Sequence, residues 1–165
     1  MKTPKIKCGI GIDFHRFRKP TSNQSFIFIG GVSIKSEYEV IAHSDGDVLL
    51  HALTDAILGV ISAGDIGMHF PPSDAQWKNA DSTIFVKHAL KMLKEKGGAI
   101  NNIDLNLICE VPRIGQYRSQ ICANIAKILE IDVADVNLKA TTTEGLGSLG
   151  RKEGIAAQAM VCATF

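Results

Sequence analysis

The sequence predicts an α+β protein, an α/β two-layer arrangement in which a mixed sheet of four to five strands carries helices on one face. Two observations lead there. Segments whose apolar residues recur at every second position alternate along the chain with segments whose apolar residues recur every three or four. The length, 165 residues with 45% hydrophobic and 21% charged, suits one domain that buries its own core, and no repeat, linker or biased stretch divides residues 1–165.

Each element has a local reason. Residues 6–15 place Ile6, Cys8, Ile10, Ile12 and Phe14 on one face and Lys7, Gly9, Gly11, Asp13 and His15 on the other, a strand with one apolar face. Phe26 to Ile29, then Gly30-Gly31 and Val32, read as a second strand with a bend or bulge at the glycines. Asp47 to Gly59 reads as a helix with Val48, Leu49, Ala52, Ala56 and Ile57 apolar and Asp45 or Gly46 near its start. Asp81 caps a further helix to Lys96, striped by Val86, Ala89, Leu90 and Leu93 and stopped by Gly97-Gly98. Ile103 to Val111 alternates as a strand that Pro112 ends. A helix from about Tyr117 to Glu130 follows, then strands at Val136–Ala140 and Ile155–Ala163 with a glycine-rich loop between them.

The bulk properties exclude several classes. Eighteen basic residues against seventeen acidic ones give a net charge of +1, which is no footprint for nucleic acid or an anionic membrane surface. Cys8, Cys109, Cys122 and Cys162 are scattered through apolar stretches without a C-x-x-C pair, so neither a disulfide framework nor a thiolate zinc site is expected. The start, Met1 to Lys5, is polar and leads into a strand, and no apolar run approaches 18 residues. A reduced, cytoplasmic protein that neither spans nor binds a membrane is the expectation.

Three places could carry chemistry. Asp13 and His15, at i and i+2 of a strand, project together away from the apolar face, and a carboxylate with an imidazole suits a borderline divalent ion. An ordinary polar strand face is the alternative. On the first helix Asp47, His51 and Asp55 stand at i, i+4 and i+8. His51 there is either a third ligand, with one of those acids holding its other ring nitrogen, or a surface histidine behind an acidic cap. Asp13, His15 and His51 together would leave one tetrahedral position open, the arrangement of metals that touch substrate. His69 reads as a loop residue and His88 as a helix side chain, not as ligands. Lastly, Lys139 to Arg151 ends a strand in Thr141, Thr142, Thr143 and Glu144 before a glycine-rich turn. Hydroxyls and backbone N–H groups hold phosphate oxygens, Arg151 adds charge, and Glu144 makes sense near a diphosphate as a ligand for a bridging Mg²⁺ or Mn²⁺. A plain threonine-rich turn is the alternative, and the segment is not a P-loop.

Taken together, Gly11-Ile12-Asp13-Phe14-His15, Ile29-Gly30-Gly31-Val32, His43 to Ala56, Gly64 to Pro71, Lys139 to Glu144 and Gly150 to Ala156 resemble the cyclodiphosphate synthases, in that family's order along nearly the whole chain. The resemblance implies a homotrimer with active sites at subunit interfaces, and a phosphorus–oxygen lyase reaction of isoprenoid precursor synthesis. In it, the 2-phosphate of a cytidine diphosphate derivative of methylerythritol attacks the β-phosphate and expels CMP. It implies Zn²⁺ on Asp13, His15 and His51, and Mg²⁺ or Mn²⁺ at Glu144. His43 and Ser44 match a segment that closes on substrate, and Thr142 a residue that steadies the transition state. Asp65, Ile66 and Gly67 match ribose contacts, while Pro112, Arg113, Ile114 and Gly115, with Ala140 and Thr141, match the cytidine pocket.

Some positions depart from the family pattern. Pro72 stands where many members carry an Asp that reaches the polyol, and Asp74 is the nearest carboxylate. Arg113 replaces a frequent Lys, which keeps charge and changes hydrogen-bond geometry. Ser148 and Gln158 stand where some relatives use Phe and Glu around an axial cavity. Two rival readings are a non-catalytic trimeric metal- or nucleotide-binding protein of the same fold, which predicts a broken ligand set, and a zinc hydrolase with Glu144 as base. The intact set of Asp13, His15, His51, Thr142 and Glu144 favours the cyclase.

Overall fold

The first alternating segment does form a strand, β1 (Ile6–Arg18), but its apolar face is not the core face. The computed structural model describes residues 3–165; Met1 and Lys2, which open the polar lead-in, lie outside the described residues. On β1, Ile6, Ile10, Ile12 and Phe14 are 64%, 59%, 51% and 63% exposed. The glycine face turns inward instead, onto helix α1 (Val48–Val60). The reason is steric: a Cβ on Gly11 would sit 2.0 Å from the Ala52 carbonyl oxygen, and one on Gly9 2.1 Å from that of Ala56. Only glycines let the strand lie this close to the helix backbone. We expect Gly11→Ala to force strand and helix apart at a cost of about 1–3 kcal/mol, the usual range for overpacking. A chemical denaturation midpoint equal to wild type would show the contact to be soft.

Helix α1 is buried almost all round, with Leu49, Leu50, Leu53, Ile57 and Leu58 fully buried, because the sheet covers one side and helix α3 (Thr83–Glu95) the other. The sheet has five strands in the order β4-β1-β7-β5-β6, where β4 is Glu39–Ile41, β5 Ala99–Ile108, β6 Val136–Thr141 and β7 Gly154–Thr164. Only the β5–β6 pair is parallel, so the sheet is mixed, as the sequence predicts. Its inner face buries Ile103, Leu105 and Leu107 of β5, Leu138 of β6 and Ala157, Ala159 and Val161 of β7. The helices lie on that inner face, while the outer face of β1 and Met160 of β7 (44% exposed) carry no cover in the single chain.

Phe26 to Val32 departs from expectation. It is a separate two-stranded ribbon, β2 (Ser25–Ile29) and β3 (Val32–Ser36), and Gly30-Gly31 is its turn, not a bulge. Both glycines have positive φ, +61° and +75°, which a tight two-residue hairpin of this hand requires. Helix α4 (Arg118–Leu129) packs on this turn, with the Asn124 amide donating to the Gly30 carbonyl at 2.7 Å. Strand β5 starts at Ala99 and ends at Ile108, before Pro112, since its last rung is the Cys109 N–H to the Thr141 carbonyl. Two one-turn helices, α2 (Ile66–His69) and α5 (Gly147–Gly150), sit in segments the sequence leaves as loops. All four cysteines are free, and burial pushes the Cys109 thiol up to about 12, as befits a small buried hydrophobe. No helix among the described residues is long and apolar enough to cross a membrane.

Candidate functional site

Asp13, His15 and His51 meet at one point. The inward face of β1 carries the first two side by side, and α1, drawn close by the glycines, brings the third from 36 residues away. His15 Nε2 lies 3.0 Å from His51 Nδ1, and Asp13 Oδ2 lies 3.1 Å from His51 Nδ1 and 3.3 Å from His15 Nε2. His51 is buried, and Asp13 and His15 are mostly so. One carboxylate oxygen and two imidazole nitrogens, each offering a lone pair to the same small volume, fit a divalent cation of zinc's borderline character. Burial pushes the His15 imidazole below its ordinary value while the Asp13 carboxylate pulls it up, and the net effect favours the neutral, ligating form.

The acids expected to hold His51's second nitrogen do not. Asp47 is fully buried and spends its carboxylate on four backbone N–H groups: Gly30 (3.0 Å), Gly31 (2.6 Å), Leu49 (3.1 Å) and Leu50 (3.0 Å). Burial pushes that carboxyl up, against the pull of those donors. Asp55 accepts from the Ile66 N–H at 2.7 Å and so anchors the start of α2. His51 Nε2 instead meets two hydroxyls, Ser82 Oγ at 2.8 Å and Ser44 Oγ at 3.1 Å, and Ser82 in turn donates to Asp45.

A cavity of about 230 Å³ opens beside the cluster. His15, His51, His43 and Ser44 give its polar side, and Phe70, Pro72, Trp77 and Phe85 an apolar wall, with Ile66 and Gly67 at the rim. The aromatic rings pack on one another, Phe70 on Phe85 at 4.6 Å and on Trp77 at 4.9 Å between centroids. Asp65 caps α2 through the Met68 N–H at 3.0 Å. Asp74 does not line this cavity; it holds the Gln76 backbone and side chain. His69 Nε2 donates to the Ala63 carbonyl, 2.8 Å away, and its ring lies against His88, so neither joins the cluster.

The other predicted residues gather elsewhere. Pro112, Arg113, Ile114, Gly115, Ala140, Thr141 and Thr142 line a second pocket of about 290 Å³. It shares no residue with the first. Glu144 follows it in a left-handed conformation (φ +55°), its N–H on Thr142 Oγ1 at 3.2 Å. Glu110, which the sequence did not single out, braces this turn by accepting from Thr143 N–H (3.0 Å), Thr143 Oγ1 (3.2 Å) and Gly145 N–H (3.3 Å). Arg151 belongs to neither pocket; its guanidinium pairs with Glu153 at 2.7 Å. Ser82, Trp77 and Phe85 were also missed. The only sequence signal for Ser82 is its place just after Asp81 at a helix start.

Comparison with known proteins places these groups in context. The model of the YgbB family matches residues 6–164. A bifunctional enzyme IspD/IspF of Wolbachia sp. subsp. Brugia malayi is 51% identical over 159 residues, 96% of this chain; the chain spans 39% of that relative's length. The 2-C-methyl-D-erythritol 2,4-cyclodiphosphate synthase of Vibrio campbellii is 49% identical over 94% of this chain and 96% of its own. Among solved structures, a CDP complex of IspF from Plasmodium falciparum superposes with a TM-score of 0.83 at 34% identity, covering 96% of this chain and 95% of that one.

Proposed function

The chain belongs to the YgbB family, and on that footing we propose that it cyclises 4-diphosphocytidyl-2-C-methyl-D-erythritol 2-phosphate to 2-C-methyl-D-erythritol 2,4-cyclodiphosphate. CMP leaves, so the enzyme is a phosphorus–oxygen lyase of the non-mevalonate isoprenoid pathway, in the cytoplasm, with residues 1–165 as its synthase domain. The observation that carries this reading is the convergence of Asp13, His15 and His51 beside the cavity of His43 and Ser44.

In this reading Asp13, His15 and His51 hold Zn²⁺ and Glu144 helps hold Mg²⁺ or Mn²⁺. When bound, such cations neutralise and orient diphosphate oxygens. Phosphoryl transfer asks the protein mainly for alignment and charge stabilisation, and a phosphate oxygen needs no base to become a nucleophile. His43 and Ser44, on the loop before α1, close over the phosphates. The apolar wall of Phe70, Pro72, Trp77 and Phe85 excludes water, which would otherwise compete with the 2-phosphate and open the diphosphate. Asp65, Ile66 and Gly67 present the backbone of α2 to the ribose, while Asp74, engaged with Gln76 outside the cavity, makes no direct contact with the polyol. Pro112 to Gly115, Ala140 and Thr141 take the cytidine, and Thr142 donates to the transferring phosphoryl. Arg151, held by Glu153, adds positive potential beyond the pocket, not a direct contact.

The two pockets are lined by disjoint residues, which supports a site completed by a second copy of the chain. The bare outer face of Ile6, Ile10, Ile12, Phe14 and Met160 supports a homotrimer in which that face is covered. Phosphorus NMR of the diphosphocytidyl substrate with protein, Zn²⁺ and Mg²⁺ is expected to give two coupled diphosphate signals and one CMP per turnover. Open-chain hydrolysis products would replace the cyclase by a hydrolase, and unchanged substrate by a binding role. Sedimentation is expected to give three chains per particle; a fully active monomer would refute the shared site.

A further inference from the structure

We infer that Asp45 and Ser82 are positioning residues that fix the tautomer of His51, so that its Nδ1 lone pair is bare and aimed at the metal position. The inference rests on the metal reading of the Asp13–His15–His51 cluster, and it follows from counting hydrogens along one chain of groups. A carboxylate accepts and cannot donate, a serine hydroxyl has one hydrogen, and a neutral imidazole has one N–H. Ser82 Oγ is in hydrogen-bond contact with Asp45 Oδ1, and Asp45 Oδ2 accepts the Ser82 backbone N–H at 3.0 Å. Ser82 therefore spends its hydrogen on Asp45. The 2.8 Å contact between Ser82 Oγ and His51 Nε2 then needs its hydrogen from the imidazole. The N–H lies on Nε2, and Nδ1 is left without one.

That bare nitrogen is the atom 3.1 Å from Asp13 Oδ2 and 3.0 Å from His15 Nε2. Without a cation, a carboxylate oxygen facing a bare nitrogen at that distance is repulsive. The opposite tautomer would place a hydrogen between them and convert the ligand set into a closed hydrogen bond. The relay withholds that hydrogen and so keeps the set open for a cation. Burial makes the relay decisive: Ser82 is fully buried, and exchange of partners with water is not open to it.

The relay also ties the metal position to the loop that bears His43 and Ser44. Asp45 is bonded at its own N–H to the Ala80 carbonyl (3.0 Å), and the Asn79 N–H donates to the His43 carbonyl (2.8 Å). Ser44 Oγ lies 3.1 Å from the same His51 Nε2. With that N–H already the donor, Ser44 is free to turn its own hydrogen toward the cavity.

The test uses full-length protein with ¹⁵N-labelled histidine, in which a bare ring nitrogen and an N–H nitrogen resonate far apart, and His51→Ala assigns the signal. Metal-free wild type at alkaline pH is expected to show His51 with Nδ1 bare and Nε2 protonated. Asp45→Asn can donate to Ser82 from its amide, which turns the Ser82 hydrogen onto Nε2 and moves the ring N–H to Nδ1. Its zinc dissociation constant, by competition with a chromophoric chelator, is expected to rise ~10–100-fold, the usual effect of losing an outer partner of a metal-bound histidine. Ser82→Ala leaves Ser44 as a fallback acceptor and should lose less, and Ser82→Thr, which keeps the hydroxyl, should restore wild-type affinity. Wild type with the N–H on Nδ1, or Asp45→Asn with both wild-type tautomer and wild-type zinc affinity, would overturn the inference. A wild type that binds no zinc would refute the metal reading, while the metal-free spectrum would still decide the relay.

Discussion

His51→Ala is expected to lose zinc and cyclising activity together while the fold and the pocket proposed for cytidine survive. The side chain sits on α1, where alanine is the best helix former, and it contributes a ligand and one relay bond, not the bulk of the core. Two remaining ligands, Asp13 and His15, adjacent on one strand, cannot hold zinc in a three-ligand site, so the stoichiometry should fall from one per chain toward zero. Cation stabilisation of the diphosphate is worth several kcal/mol, which corresponds to a fall in kcat/KM on the order of 10³-fold or more. CDP binding should change far less, because Pro112, Ala140 and Thr141 line a pocket that shares nothing with His51. Circular dichroism, metal analysis and phosphorus NMR on one preparation check all three parts. A variant that keeps a tenth of wild-type kcat/KM would remove His51 from the catalytic set.

How far the site could be read from the sequence follows from distance along the chain. Asp13 and His15 were legible because i and i+2 of a strand share a face by construction. The direction of that face was not legible. Period-two alternation says that two faces differ, and hydrophobicity suggests that the apolar one is buried. On β1 the opposite holds within the chain, because Gly9 and Gly11 are the residues α1 needs for close approach. Those glycines were visible as letters, but their partner carbonyls on Ala52 and Ala56 belong to tertiary structure. His51's polar surroundings failed for a related reason. Helical spacing brings Asp47 and Asp55 near it, yet both carboxylates had stronger uses at backbone N–H groups. Its true partner, Ser82, lies 31 residues away and no periodicity points to it. Gly30-Gly31 reads from the sequence as a bend or bulge within one strand because two consecutive glycines fit that as well as a hairpin turn, and only the register of Ile29 with Val32 decides for the hairpin.

The largest effect on stability is expected from Asp47→Ala. The carboxylate is wholly buried and is the common acceptor for the hairpin turn, through Gly30 and Gly31, and for the first turn of α1, through Leu49 and Leu50. Losing the helix cap costs about 1 kcal/mol. Leaving the two turn N–H groups without an acceptor costs about 1–3 kcal/mol each, for a total of roughly 3–7 kcal/mol. For a chain of this size that is a Tm lower by about 6–28 °C, read by calorimetry. Asp47→Asn keeps one accepting oxygen and turns an amide hydrogen toward the other donors, so it should fall between alanine and wild type. The damage should also reach the metal position, because the His51 N–H donates to the Asp47 carbonyl and the same turn holds His51 against Asp13. A cation held by Asp13, His15 and His51 would bind the folded state only, so saturating zinc is expected to raise the wild-type Tm by an amount set by its affinity. That rise should be smaller for Asp47→Ala. An equal rise in both proteins would mean that the cap stabilises the fold without shaping the ligand set, and that the two roles of this helix start are separable.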